Sequence, residues 1–225
     1  MPNTIALQSA DGHAFEAYRS DPVGTPKGGV VVLHAIYGLT AHIGGVCDQW
    51  ATAGYAAIAP ALFDRVGKGH VHPYGAAGGD AGRRCFAATN EANIRAEIAA
   101  CAAALKDCGP SIVSGYCTGG TWAWVAAAKQ RFDAQVNLYG SHVAAKLDLH
   151  PHCPTVLHYG DRDHVVPVAD IERIRAANAD VLIHVYPGGG HAFFNPEQEN
   201  YSAEHAALSW QRSLAFLDGA LGRSK

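Results

Sequence analysis

Ser111-Ile-Val-Ser-Gly-Tyr-Cys-Thr-Gly-Gly120 is the stretch that decides how this chain folds. An apolar, β-prone run leads into Gly115-x-Cys117-x-Gly119, and an alanine-rich segment with helical character follows. That layout is a nucleophile elbow with cysteine in the usual serine position. Each residue type has a physical reason. A side chain displayed on so sharp a strand-to-helix turn needs strained backbone angles, and its neighbours must lack side chains. The helix that follows points its first N–H groups at the displayed sulfur, where they favour a thiolate and an oxyanion alike. The competing reading of the five residues is a buried cysteine between glycines that permit tight packing.

Working outward, short β-rich segments alternate with longer amphipathic ones. Strands are expected at 29–33, 56–60, 111–115, 134–138, 155–159 and 181–186, and helices at 41–53, 90–106, 119–129, 169–179 and 203–217. This is the βαβ rhythm of a mostly parallel sheet with helices on both faces. Ile94, Ile98, Cys101 and Leu105 recur at helical spacing and give one helix an apolar stripe. Residues 4–8 and 14–19, separated by Asp11-Gly12, read as a hairpin at the sheet edge. Residues 61–89, rich in Gly and His and holding Arg65, His70, His72, Arg83 and Arg84, read as one long irregular loop of the kind that covers a site. A single domain over residues 1–225 is expected.

Composition removes several classes of function. With 17 Lys and Arg against 20 Asp and Glu there is no basic excess, so nucleic acid is not an expected partner. The first twenty residues carry Asp11, Glu16 and Arg19 and do not read as a signal peptide; no apolar run approaches a membrane span. A cytoplasmic location follows as an expectation, with a small-molecule substrate and a monomer or weak homodimer. The six cysteines lack paired metal-ligand spacing and are expected as free thiols.

Two further motifs join the elbow. Gly160-x-x-Asp163-x-x-Val166-Pro167 places a carboxylate just past a strand, where open α/β sheets put their sites. Asp161 is the rival acid, and a helix cap near Val168 is the plainer role for Asp163. Gly188-Gly-Gly-His191 follows the strand at 181–186, and its glycines allow the imidazole to reach over a nucleophile. Cys117 as nucleophile, His191 as general base and acid, and Asp163 as the orienting acid form the candidate triad. No metal is expected: His70-Val-His72 and His150-Pro-His152-Cys153 lack clear third and fourth ligands. Trp122 and Trp124, just past the elbow, read as core.

These motifs, in the order nucleophile, acid, histidine, resemble the dienelactone hydrolase family of the α/β-hydrolase superfamily. The resemblance runs through Val30 to Gly38 (VVVLHAIYG), Gly54 to Arg65 (GYAAIAPALFDR), Gly115 to Gly120 (GYCTGG), Gly160 to Pro167 and Gly190 to Phe193 (GHAF). It implies an α/β-hydrolase sheet of about eight strands, opening of an enol-lactone (the carboxymethylenebutenolidase reaction), no cofactor, and the triad Cys117, Asp163, His191. It also implies an oxyanion hole from the backbone N–H groups of Ile36 and Thr118. Around these, His34, Tyr37, Arg84, Phe193 and Asn195 are candidate substrate-binding residues. Two positions depart from the family. Ala35 stands where a glutamate helps ionise the thiol; the neighbouring His34 reads either as a local substitute or as a core histidine. Asn195 stands where an arginine would clamp a substrate carboxylate. Two other readings stay open: a hydrolase-fold protein with little turnover that acts as a reactive-thiol sensor or ligand binder, and a thioesterase or acyltransferase.

Overall fold

A computed structural model describes residues 3–222. The chain divides into two compact units, Met1–Ile112 and Val113–Lys225. In the first, β1 (Thr4–Gln8) and β2 (Ala14–Ser20) form the expected antiparallel hairpin, in register from Thr4 opposite Tyr18 to Gln8 opposite Ala14. β2 pairs antiparallel with β4 (Ala56–Pro60), and β4 runs parallel to β3 (Gly29–Leu33). The strand order in this unit is β1-β2-β4-β3. Every residue of β3 and β4 is buried, as strands covered on both faces require.

Helix α1 (Ala41–Thr52) starts where Thr40 accepts a hydrogen bond from the Ile43 N–H, and α3 (Glu91–Ala104) starts at Asn90, whose side chain accepts from Asn93. The stripe read from the sequence is the buried face of α3 and its exit: Ile94, Ile98, Cys101 and Leu105 are all at most 3% exposed.

Residues 61–89 are not one irregular loop. They contain α2 (Ala76–Ala87), whose buried residues are Gly78, Gly79, Gly82 and Cys85. Four glycines and alanines in quick succession look like loop composition, since glycine is the poorest helix former after proline. Here the missing side chains serve close approach: a Cβ on Gly82 would lie 1.6 Å from the Ile36 carbonyl oxygen, and one on Gly78 would lie 1.8 Å from that of Pro73. The helix backbone therefore packs directly on residue 36.

Within α3, Glu97 is buried and ion-paired to Arg65 at 2.7 Å, and Arg65 also reaches Asp11 at 2.8 Å. Burial pushes the Glu97 carboxyl up from 4.5 to about 7, with the Arg65 charge opposing the rise. The folded state thus keeps a proton that the unfolded chain releases, so this group's contribution to stability declines as pH rises from 4.5 through about 7. The urea midpoint of the wild type relative to that of Glu97→Gln should fall between about pH 5 and about pH 8, which isolates this group from the buried histidines that titrate in the opposite sense.

The second unit carries β5 (Ser111–Tyr116), which begins at the junction, then β6 (Ala134–Leu138), β7 (Thr155–Gly160) and β8 (Leu182–Tyr186), in that order. β6, β7 and β8 pair in parallel. Their connecting helices are α4 (Thr118–Lys129), directly after the elbow, and α5 (Val168–Ala177). α6 (Ala203–Ala220) ends the described chain, three residues longer than its sequence pattern indicates, and Ser202 caps it by accepting from His205. Trp124 is a core residue, with its indole N–H donated to the Lys146 carbonyl at 3.2 Å. All six cysteines are free.

Candidate active site

Cys117 has φ 53° and ψ −119°, a left-handed conformation that a non-glycine residue adopts only under constraint. The constraint is visible in its neighbours. Its N–H donates to the Leu138 carbonyl at 3.1 Å, and its carbonyl accepts from Gly120 at 2.9 Å and from Ser141 at 3.1 Å. Gly115 and Gly120 are steric necessities: a Cβ on the first would lie 2.2 Å from the Gly119 carbonyl oxygen, and one on the second 2.4 Å from the Asn137 side chain. Buried Asn137, at the end of β6, also donates to the Gly120 carbonyl at 2.8 Å. The turn is thereby fixed from β6 and the residues just past it.

Asp163 lies just past β7 and is buried. One carboxylate oxygen accepts from the N–H groups of Val165 and Val166 at 2.7 and 2.9 Å, while the other meets His191 Nδ1 at 2.7 Å. It therefore shapes its own turn and holds the imidazole at once. It does not cap α5, whose preceding residue is Pro167 with no side-chain cap. Asp161, the rival acid, accepts instead from the Gly188 N–H at 2.6 Å and pins the glycine loop. That loop lies hard against the strand end: a Cβ on Gly160 would be 2.0 Å from the Gly189 carbonyl oxygen. Past His191, Ala192 has φ 62°.

The electrostatics couple the two reactive groups. Burial alone would raise the Cys117 thiol, but the charge of His191, hydrogen bonding to His191 and the Thr118 hydroxyl and N–H outweigh it and hold the thiol below its ordinary value. For His191 burial disfavours the cation, yet the Cys117 sulfur and the Asp163 carboxylate prevail and raise the imidazole to about 10. Each group thus favours the charged form of the other, the imidazolium lowering the thiol and the sulfur raising the imidazole. The other five thiols are all raised, chiefly by burial. A limiting amount of iodoacetamide at neutral pH should consequently label Cys117 ahead of the rest. The rate of alkylation should fall as acid protonates the thiolate, at a pH below that of an ordinary thiol. Above about 10, where His191 loses its proton, kcat/KM should decline.

The second unit thus brings Cys117, Thr118, Asp163 and His191 together. The Thr118 hydroxyl lies 3.8 Å from the sulfur, at the first turn of α4. Phe193 is wholly buried against Tyr139 and Tyr186, and Asn195 is buried with its side-chain oxygen closing its own turn to the Glu197 N–H at 2.9 Å. Both are occupied in holding the loop after His191. Tyr139 was not marked by any sequence pattern. It has φ 44° and lays its ring edge-to-face on His191 at 5.2 Å, and the exposed His164 ring stands 6.1 Å from His191 on its own account.

Four other candidates lie in the first unit. His34 is fully buried. One ring nitrogen meets the Ala35 carbonyl at 2.7 Å and the other accepts from the Leu62 N–H at 3.2 Å, while burial lowers its pKa to about 4. A neutral imidazole with both nitrogens committed to backbone is a core histidine rather than a charge partner for a thiol. Tyr37 is half-buried, edge-to-face with Tyr74, and its carbonyl accepts from His72 at 2.9 Å; Ile36 lies under Gly82; Arg84 is exposed on α2.

Among the described residues, eight strands, mostly parallel, with helices between them and a strained cysteine between a strand and a helix, define an α/β hydrolase. The dienelactone hydrolase family profile matches residues 15–221, and the chain belongs to that family. A carboxymethylenebutenolidase from Pseudomonas putida is 30% identical over 226 aligned positions, 95% of this chain and 94% of its own. Among solved structures, a candidate dienelactone hydrolase from Klebsiella pneumoniae aligns with a TM-score of 0.79 and 29% identity, covering 95% of this chain and 98% of its own. A dienelactone hydrolase-like promiscuous phosphotriesterase from metagenomic libraries shares the fold at a TM-score of 0.77 and 19% identity, over 96% of this chain and 98% of its own. The chain is a hydrolase of the dienelactone hydrolase type. No helix among the described residues is long and apolar enough to cross a membrane.

Proposed function

We propose that the protein hydrolyses a small carboxylic ester or lactone through an acyl-cysteine on Cys117. The observation that carries this reading is the hydrogen bond from His191 to buried Asp163, with the charge of His191 lowering the Cys117 thiol. A structural cysteine needs no oriented base. The Cys117 thiolate attacks the acyl carbon, and the Thr118 N–H, at the positive end of α4, receives the developing oxyanion. Collapse of the tetrahedral species breaks the C–O bond as His191 protonates the leaving oxygen; in a lactone that oxygen stays tethered to the acyl group. His191, now neutral, takes a proton from water, whose oxygen displaces the thiolate. Asp163 keeps the ring in position and stabilises its cationic form throughout.

The enol-lactone activity in the name of the Pseudomonas relative supports a lactone as one substrate. Asn195, turned into its own loop, supplies no clamp for a substrate carboxylate, which favours acyl compounds that do not depend on one. The reading is of a cytoplasmic enzyme, monomeric or weakly dimeric, without a cofactor in this reaction. One observation favours a reactive-thiol sensor instead: a thiol lowered from its ordinary value although Ala35 stands in place of the family glutamate. A panel of dienelactone, p-nitrophenyl acetate, p-nitrophenyl butyrate and a thioester separates the readings. Steady turnover of an ester or lactone is expected. Rapid alkylation of Cys117 with no turnover on any member would assign the sensor, and turnover confined to the thioester would assign a thioesterase.

A further inference from the structure

The two histidines set aside for want of further ligands acquire a third one in the fold. His70 and His72 lie on the segment before α2, and Cys85 is buried on that helix within reach of them. One ligand atom from each, two imidazole nitrogens and the thiol sulfur, lie within 4.8 Å of one another. His72 Nε2 is 3.4 Å from Cys85 Sγ. In a tetrahedral zinc site with Zn–N near 2.0 Å and Zn–S near 2.3 Å, the nitrogen-to-sulfur edge is about 3.5 Å, so this pair already stands at ligand separation. We propose that His70, His72 and Cys85 bind a borderline-soft divalent cation of the zinc class, with three protein ligands and a fourth position open to water.

The donor set selects the ion. Two imidazoles and a thiolate suit zinc, whereas magnesium and calcium need oxygen ligands. Binding displaces the Cys85 thiol proton to solvent as the metal–sulfur bond forms, so affinity rises with pH. Both ligand-bearing segments are anchored independently of any metal, which preorganises the site. His72 donates its backbone N–H to the Tyr37 carbonyl, and a Cβ on Gly38, at φ 87°, would lie 2.5 Å from the His70 carbonyl oxygen. α2 is held to the same loop by the contact of Gly82 with Ile36. The Phe63 ring, 5.8 Å from His72 and edge-to-face with Phe86, walls one side. A Cβ on Gly67 would sit 2.5 Å from His70 Nε2, so a glycine makes room for that ring. A bound ion would therefore fasten the 70–72 segment to α2 across the loop at residues 36–38. The three ligands lie in the first unit and the members of the triad in the second.

The test uses the full chain as Cys117→Ser, so that the reactive thiol cannot contribute. Cobalt(II) titration should produce a near-ultraviolet thiolate-to-metal charge-transfer band that saturates at one equivalent and is abolished by zinc. Zinc at a hundredfold excess over its Kd should raise Tm by about 5–10 °C. Adding Cys85→Ser should remove the band, and His70→Gln or His72→Gln should weaken binding at least tenfold with unchanged far-ultraviolet circular dichroism. If the serine variant fails to fold, the two glutamine variants decide the matter alone. Absence of the band in the parent, or binding undiminished in all three variants, overturns the proposal and leaves His72 and Cys85 as an ordinary hydrogen-bonded pair.

Discussion

Cys117→Ala should reduce ester hydrolysis by on the order of a thousandfold or more, and His191→Ala by a similar factor. The two losses should not multiply in the double variant, because the thiolate exists largely through the imidazolium and the imidazolium largely through the thiolate. Groups that act as a unit show this non-additivity. The single variants differ in one respect. His191→Ala retains the sulfur but loses the charge that holds its proton off, so burial dominates and the thiol titrates upward. Alkylation of Cys117 at neutral pH should therefore slow sharply in His191→Ala. Asp163→Asn should also depress turnover, since it removes a charge next to Nδ1 while sparing much of the turn that the Val165 and Val166 N–H groups define. Steady-state rates on one activated ester, with alkylation rates on the same preparations, measure all of this.

Gly160→Ala should also be strongly damaging although residue 160 takes no part in the chemistry. Its Cβ would be placed 2.0 Å from the Gly189 carbonyl oxygen, a backbone atom that moves only with the loop carrying His191. Strand end and loop must separate by an ångström or more. The strand end delivers Asp163 and the loop delivers His191, so the 2.7 Å bond between them lengthens. Misplacement on that scale costs on the order of a hundredfold in rate. Gly188→Ala is the control. Its Cβ would meet nothing within 4 Å, and only the φ of 77° opposes it. That variant should lose about 1 kcal/mol of stability and little activity. A crystal structure or the pH dependence of kcat distinguishes the two: only Gly160→Ala should uncouple His191 from Asp163.

Those parts of the fold and site that depend on near neighbours in sequence were legible without coordinates. The elbow is a local object, a strand, three glycines and a helix, and its steric demands are written in residues 115–120. The stripe on α3 and the hairpin at Asp11-Gly12 are local in the same sense. Where choices depended on distant partners, the sequence left them open. Asp161 and Asp163 are equivalent in pattern; they separate only because the Gly188 N–H engages the first and His191 the second. α2 was hidden because two of its glycines, Gly79 and Gly82, are explained by the approach of Ile36, more than forty residues earlier in the chain. For the same reason Cys85 did not join His70 and His72: a helix turn, rather than a spacing motif, brings it to them. Asn195 could be seen to replace an arginine, yet its commitment to the Glu197 N–H is visible only in the folded turn.

The central claim is that the acyl group passes through Cys117. Intact-mass analysis after rapid acid quench of wild type with a slowly deacylating ester, followed by peptide mapping, tests it most directly. One acyl adduct per chain, mapped to Cys117 and absent from Cys117→Ala, is the predicted result. Steady turnover with no adduct on wild type, together with undiminished hydrolysis by Cys117→Ala, would contradict it.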